Sequence, residues 1–272
     1  MTSKEQVREI KRILDALSKA EKADNDSAEI IFDTELAKLR EVPKENIVDA
    51  VKEAIGNNSK RKNVSVHVFS ELYDVAGIDR VFEEFLTSAD QADRNAIVQI
   101  IGLRKLRKFV PILNSLLDKE TDNSCKHTLI YTLGELADES SFPIFLKLSQ
   151  ETNADYEWRL AWAFKNFSRK ESTPFLEKVY QDKQSKTSDR IVAAWGLVKI
   201  GDKSYYDYLV KMLDDPDIET STSYSPGESL RAAQAICDIN KWKFEWNKDY
   251  VTIVKQRLKT AANNGLPPAL LH

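Results

Sequence analysis

Tyr131, Trp158, Trp162 and Trp195 are the residues of this chain whose type and spacing are best suited to chemistry, and that chemistry is recognition. A large ring with one polar atom gives up its water readily and still fixes its own orientation, which is why such residues dominate binding hot spots. Tyr131, Trp162 and Trp195 recur at intervals of 31 and 33 residues, and Trp158 stands one helical turn before Trp162. Glu135, Asn166 and Lys199 follow the recurring rings at a constant distance and supply polar flanks. Rings at helical spacing also serve as packing between stacked elements, so the stripe has a structural reading beside the binding one.

Bond-breaking chemistry finds little support. The histidines are His67, His127 and His272; no HExxH and no Cys/His cluster offers metal-ligand spacing, so no metal and no cofactor are expected. Neither GxxxxGK[ST] nor GxGxxG occurs. With 43 carboxylates any acid pair would be arbitrary, and no catalytic residue is assigned. Cys125 and Cys237 lie far apart without a CxxC partner and are expected to be reduced thiols. The net charge of −3 gives a polyanion no overall field, so nucleic acid is not an expected partner. The polar start Met-Thr-Ser-Lys-Glu-Gln and the lack of any run near the roughly 18 apolar residues of a membrane span point to a cytoplasmic protein without membrane contact.

The elements that must position the rings repeat. Pro143 follows a short polar turn, and the same local pattern returns at Pro43, Asp79, Pro111, Pro174, Asp207 and, loosely, Trp246. The intervals are 36, 32, 32, 31, 33 and 39 residues. A period near 32 holds two helices, and such units bury their apolar faces only against their neighbours, as in a solenoid. Eight Gly and eight Pro in 272 residues suit helices joined by short loops rather than tight β-turns.

First helices are predicted near 79–87, 111–118, 143–150, 174–182 and 206–214. Second helices are predicted near 63–75, 92–105, 124–137, 156–168, 188–200 and 228–240. An N-terminal helix at 3–22 carries Val7, Ile10, Ile13, Leu14 and Leu17 on one face. Helices at 27–40, with Ile30, Ile31, Leu36 and Leu39, and at 44–56 follow it, and a helix at 248–262 closes the chain. Gly102, Gly134 and Gly201 sit in or at the ends of second helices, where a missing side chain allows close approach or a left-handed cap. The polar stretch from Asp214 to Gly227 lengthens one unit; such insertions emerge as loops, often on the binding face, and are also tolerated as plain surface.

Residues 90–212 resemble HEAT-like repeats, in particular the short phycobilisome-lyase type. The matching segments are Asp93-Arg94-Asn95-Ala96, the run from Cys125 to Leu136, and Asp189-Arg190-Ile191-Val192-Ala193-Ala194-Trp195-Gly196-Leu197. The resemblance implies an all-α fold, a right-handed α-solenoid (superhelix) of about six to seven HEAT-like helix pairs. Residues 1–272 would form a single array, with the helices at 3–22 and 248–262 as caps. These families favour an Arg early in the second helix with an acid four residues before it. Asp90/Arg94, Asp122/Lys126 and Asp155/Arg159 keep that spacing, and Lys186 before Arg190 breaks it. Stacked units would join these pairs into a charged ladder.

In HEAT-like arrays the second helices line the concave face. Twelve residues before each anchor stand His67, Gln99, Tyr131, Trp162, Trp195 and Gln234; sixteen before stand Asn63, Asn95, His127, Trp158, Ile191 and Leu230. The columns at thirteen (Val66, Val98, Ile130, Ala161, Ala194, Ala233) and ten (Phe69, Ile101, Leu133, Phe164, Leu197, Ile236) are apolar and form the expected core. The expected groove therefore has an aromatic middle: Tyr131, Glu135, Trp158, Trp162, Asn166, Trp195 and Lys199. The function this favours is a non-enzymatic scaffold or inhibitor for a protein or peptide partner, such as a bacterial immunity or adaptor protein; the oligomeric state stays open. The same resemblance offers an enzyme reading. HEAT-like DNA glycosylases acting on alkylated bases use an aromatic, acidic cleft with an Arg, and the run Asp155 to Trp162 holds those types. Against it stand the net charge and the basic cluster Arg104, Lys105, Arg107 and Lys108, which lies in one unit instead of along the groove.

Overall fold

A computed structural model describes residues 3–20, 26–44, 46–56, 59–151, 156–214, 227–247 and 249–263. The expected loop from Asp214 to Gly227 lies almost wholly outside them, as does Asp155. The described residues form fifteen α-helices and no strand, an all-α solenoid of paired helices. No described helix is long and apolar enough to cross a membrane.

The chain divides into two compact units: Met1–Phe109 with Glu120–Thr128, and Val110–Lys119 with Leu129–His272. In the first unit, α1 (Ser3–Ala20) lays Ile10, Ile13, Leu14 and Leu17 onto α2 (Asp26–Lys38), α3 (Ile47–Ile55) and α4 (Ser59–Glu71). Their 3, 1 and 3 spacing keeps these four on one stripe, and each is fully buried. Arg61 clamps Asp15 with two bonds of 2.8 Å. α2 differs from expectation: Ile30 and Ile31 are exposed while Leu39 is buried. Six residues separate Ile30 from Leu36, which leaves them about 120° apart around a helix, so the apolar residues share no narrow face.

α5 (Ile78–Leu86) and α6 (Gln91–Leu103) complete the described helix pairs of this unit. Asp90 caps α6 by accepting from the Ala92 N–H at 2.9 Å. Asp122 does the same for α8 (Asn123–Leu136), accepting from the Cys125 N–H at 2.8 Å. The acids of two expected rungs thus serve as helix caps, and that of the third, Asp155, lies outside the described residues. A short carboxylate placed one residue before a helix reaches the open N–H groups of the first turn, and the acid that Arg94 engages is Glu120. Arg94 holds both Glu120 oxygens, at 2.8 and 2.9 Å, and donates to the Ser88 and Ala89 carbonyls. Burial opposes the Glu120 charge, yet Arg94, the Asp122 N–H and the Cys125 thiol hold its pKa down to about 2.

In the second unit, first helices α7 (Val110–Lys119), α9 (Phe142–Ser149), α11 (Thr173–Gln181) and α13 (Tyr206–Met212) alternate with the end of α8, α10 (Glu157–Phe167), α12 (Thr187–Ile200) and α14 (Glu228–Ile239), followed by α15 (Asp249–Asn263). Pro143 and Pro174 stand in the first turns of α9 and α11, where a missing N–H costs nothing. α12 contacts α10, α11, α13 and α14. It is accordingly buried on all sides: every residue from Ile191 to Val198 is enclosed. The two expected core columns are buried throughout, Val66 excepted, whose side chain lies outside the description.

The repeat also appears in the backbone. Ala137, Ser168 and Gly201, each six residues before its anchor, have φ of 46°, 54° and 117° and end α8, α10 and α12 in the left-handed region. Gly134 serves closeness instead: a Cβ there would stand 2.7 Å from that of Ala163, so α8 and α10 meet backbone to backbone.

Candidate functional site

The second helices of the second unit bring the expected site residues onto one face at graded depth. Tyr131 on α8 is 40% exposed, Trp158 on α10 is half-buried, Trp162 is 8% exposed and Trp195 on α12 is 2% exposed. Tyr131 and Trp158 stack nearly parallel, 4° apart with centroids 6.3 Å apart. Trp162 lies beneath both, 6.0 Å from each. Trp195 meets Trp162 edge-on at 5.7 Å. The four rings therefore form one connected cluster, with its outer end at Tyr131.

Polar flanks fix the inner rings. The Trp162 indole N–H donates to Glu135 Oε1 at 2.6 Å, and the Asn166 amide donates to the same oxygen and to the Gly134 carbonyl. The Trp195 indole N–H donates to Asp238 Oδ2 at 2.9 Å, and Lys199 pairs with that oxygen at 3.1 Å. Glu135, Asn166 and Lys199 thus hold partners inside the face. Their half-burial leaves part of each at the surface.

Sequence reasoning missed three charged residues here, Lys165, Asp238 and Arg231, and read a fourth, Arg159, only as part of the ion-pair ladder and of the Asp155 to Trp162 run. Lys165 is 4% exposed, with its ammonium 3.8 Å from the Trp162 ring centre and 4.0 Å from that of Trp195. It donates to Asn166 Oδ1 at 2.8 Å. Burial, then the positive charge of Lys199, brings its pKa down to about 8. A signal for Lys165 exists. It stands nine residues before its anchor, in a column otherwise made of Ser70, Gly102, Gly134, Val198 and Cys237. Asp238 is the last member of the column of Glu135, Asn166 and Lys199, eight before the anchor. Burial works against its charge, but Lys199 and the Trp195 indole outweigh it and the pKa is lowered.

Arg159 and Arg231 are the other two. Arg159 lies over the Trp158 ring at 5.3 Å, and burial lowers its pKa. Arg231 on α14 is lowered by burial against the pull of Asp189 and Glu228. Both line an open pocket of about 700 Å³ beside Trp158. Tyr131 is shifted upward, by burial and then by Glu135.

The face offers an accessible ring pair on a rigid base, and beside it a pocket holding two guanidiniums. Among the described residues no group of three or more His, Cys, Asp or Glu is placed to hold a metal. Residues 189–215, from the first turn of α12 past the end of α13, match the family model of the PBS lyase HEAT-like repeat. No curated protein matches the chain.

Proposed function

We propose that this HEAT-like repeat protein binds a protein or peptide partner through the second-helix face of its second unit, without catalysing a reaction. HEAT-like repeats commonly mediate protein interactions. The observation that carries the reading is the Tyr131–Trp158 stack, an exposed ring on a half-buried one, held from behind by Trp162. Rings already fixed by neighbours lose little freedom when a partner arrives, which leaves more of the contact energy for binding. Trp162, Trp195, Glu135, Asn166 and Lys199 serve the same site, setting the position of the outer rings. The array is taken to run through residues 1–272, with α1 and α15 closing its ends.

A cytoplasmic immunity-type inhibitor or an adaptor fits this reading, since either works by occupying a partner. The experiment is affinity capture from the source cell followed by quantitative binding of the partner so identified. Tyr131→Ala and Trp158→Ala are each expected to weaken binding roughly 30-fold or more, the range of an aromatic hot spot. Lys147→Ala, at an exposed pair with Asp118, is expected to leave it unchanged. Binding that survives both ring substitutions sinks the proposal. So does release of alkylated bases from duplex DNA by the purified protein, which would establish the glycosylase reading.

A further inference from the structure

We propose that the pocket at the N-terminal ends of α10, α12 and α14 is an oxyanion site, in which Arg159 and Arg231 take up a carboxylate or phosphate group. The inference does not rest on the aromatic face being a docking site, and its test uses no macromolecular partner.

Each carboxylate lining the pocket already has a partner. Glu157 pairs with Lys178 at 2.9 Å. Asp182 accepts from the Gln184 N–H and the Ser185 hydroxyl, and Asp189 from the Ser188 hydroxyl. The guanidiniums hold no carboxylate directly, although Asp189 and Glu228 act on Arg231 through space. Among the described residues Arg159 has no carboxylate partner, only the Trp158 ring. Arg231 Nε is buried without a hydrogen-bond acceptor. Elsewhere in the chain Arg61 and Arg94 each hold a carboxylate with two bonds. A half-buried guanidinium loses hydration and is costly unless something accepts from it. Two in one pocket, both lowered by burial, leave unused donors of the fork geometry that matches carboxylate and phosphate oxygens.

The helix starts at this pocket add to that field. Tyr156, Lys186 and Gly227 precede α10, α12 and α14, and none caps its helix with a side chain. Asp90 does so for α6. At Lys186 the cap position even carries a positive charge. The positive ends of three helix dipoles thus lie at the pocket, partly offset by the first-turn acids Glu157, Asp189 and Glu228.

The test is thermal unfolding of the whole protein in inorganic phosphate, acetate or chloride at equal ionic strength. Phosphate or acetate is expected to raise Tm over chloride by roughly 2–4 °C in the wild type, as a ligand of the native state does. Phosphate also stabilises folded proteins by exclusion, so the readout is the difference between wild type and variants. Arg159→Gln and Arg231→Gln are each expected to lose the specific part. Arg169→Gln, at an exposed position bonded to Glu139 and Glu171, is expected to keep it. A larger response to phosphate identifies a phosphorylated ligand, and one to acetate an acidic side chain. In chloride the two Gln variants are expected to be about as stable as wild type, because neither guanidinium holds a carboxylate directly among the described residues. Equal anion responses in wild type and variants overturn the proposal. A marked loss of stability in chloride does so too, since the guanidiniums would then serve the fold.

Discussion

Glu135 Oε1 lies 2.6 Å from Trp162 Nε1 and joins α8 to α10 behind the Tyr131–Trp158 stack. The same oxygen takes the Asn166 amide, so one carboxylate orients two side chains of the neighbouring helix. Replacing it with Leu keeps the size and strands a buried indole N–H, which costs about 1–3 kcal/mol. Glu135→Leu is expected to lower the unfolding free energy read from urea titration by that amount, and to disturb the Trp162 environment in near-UV circular dichroism. An unchanged unfolding free energy would show that the indole finds another acceptor.

Lys165 ties stability to alkaline pH. Its pKa falls from an ordinary 10.5 to about 8 in the folded chain. The unfolded state therefore binds more protons between these values, and stability rises as pH climbs from about 8 toward 10.5. Burial lowers the pKa, while the two indole faces favour the charged form. Cys125, Cys237 and Tyr206 are raised to about 12, 11 and 12 by burial and act in the opposite direction above pH 9. The quantity to measure is thus the stability difference between Lys165→Met and wild type. At pH 7 the variant is expected to gain up to about 3 kcal/mol from the lost penalty, a gain that shrinks steadily toward pH 10.

Glu120 sets the acid limit of the first unit. Its folded pKa of about 2 lies below the ordinary 4.5, so its contribution is complete above 4.5 and disappears as pH falls through 2. The shift corresponds to about 3 kcal/mol. Arg94→Met leaves the Glu120 carboxylate buried with the N–H groups of Thr121 and Asp122 but without its ion partner. It is expected to cost about 3–5 kcal/mol at neutral pH, with a smaller deficit at pH 3. Urea titrations at the two pH values check this.

Ala137 holds a left-handed backbone at φ 46° without the freedom of glycine. At the equivalent position after α12 the chain has Gly201, at φ 117°. Ala137→Gly is expected to stabilise by about 0.5–1 kcal/mol, the relief of strain exceeding the extra entropy of the unfolded chain. Thermal unfolding of the single variant reads the sign.

Helix pairing and the two core columns were legible in the sequence because each is periodic, and a period is visible without knowing depth. Depth was not legible. Trp162 and Trp195 stand in the same column as Tyr131, yet neighbours on both sides enclose them, while Tyr131 keeps 40% of its surface. Spacing states which side a residue faces, not how much the next helix covers. The acids four residues before the arginines showed a similar ambiguity. Asp90 could reach a guanidinium or its own helix start, and the short side chain is seen to accept from the Ala92 N–H. Lys165 stood out only as a charge in a column of small and apolar residues.

The two compact units are not two consecutive stretches of chain. Residues 110–119 belong to the second unit, and 120–128 return to the first. No single cut can therefore yield both as intact fragments. A fragment ending at Phe109 would lose Glu120 and leave Arg94 with two empty donors; one ending at Thr128 would carry a surplus helix, α7, with its apolar side bare. Neither unit is thus a contiguous fragment that can be cut out of the chain without breaking the other.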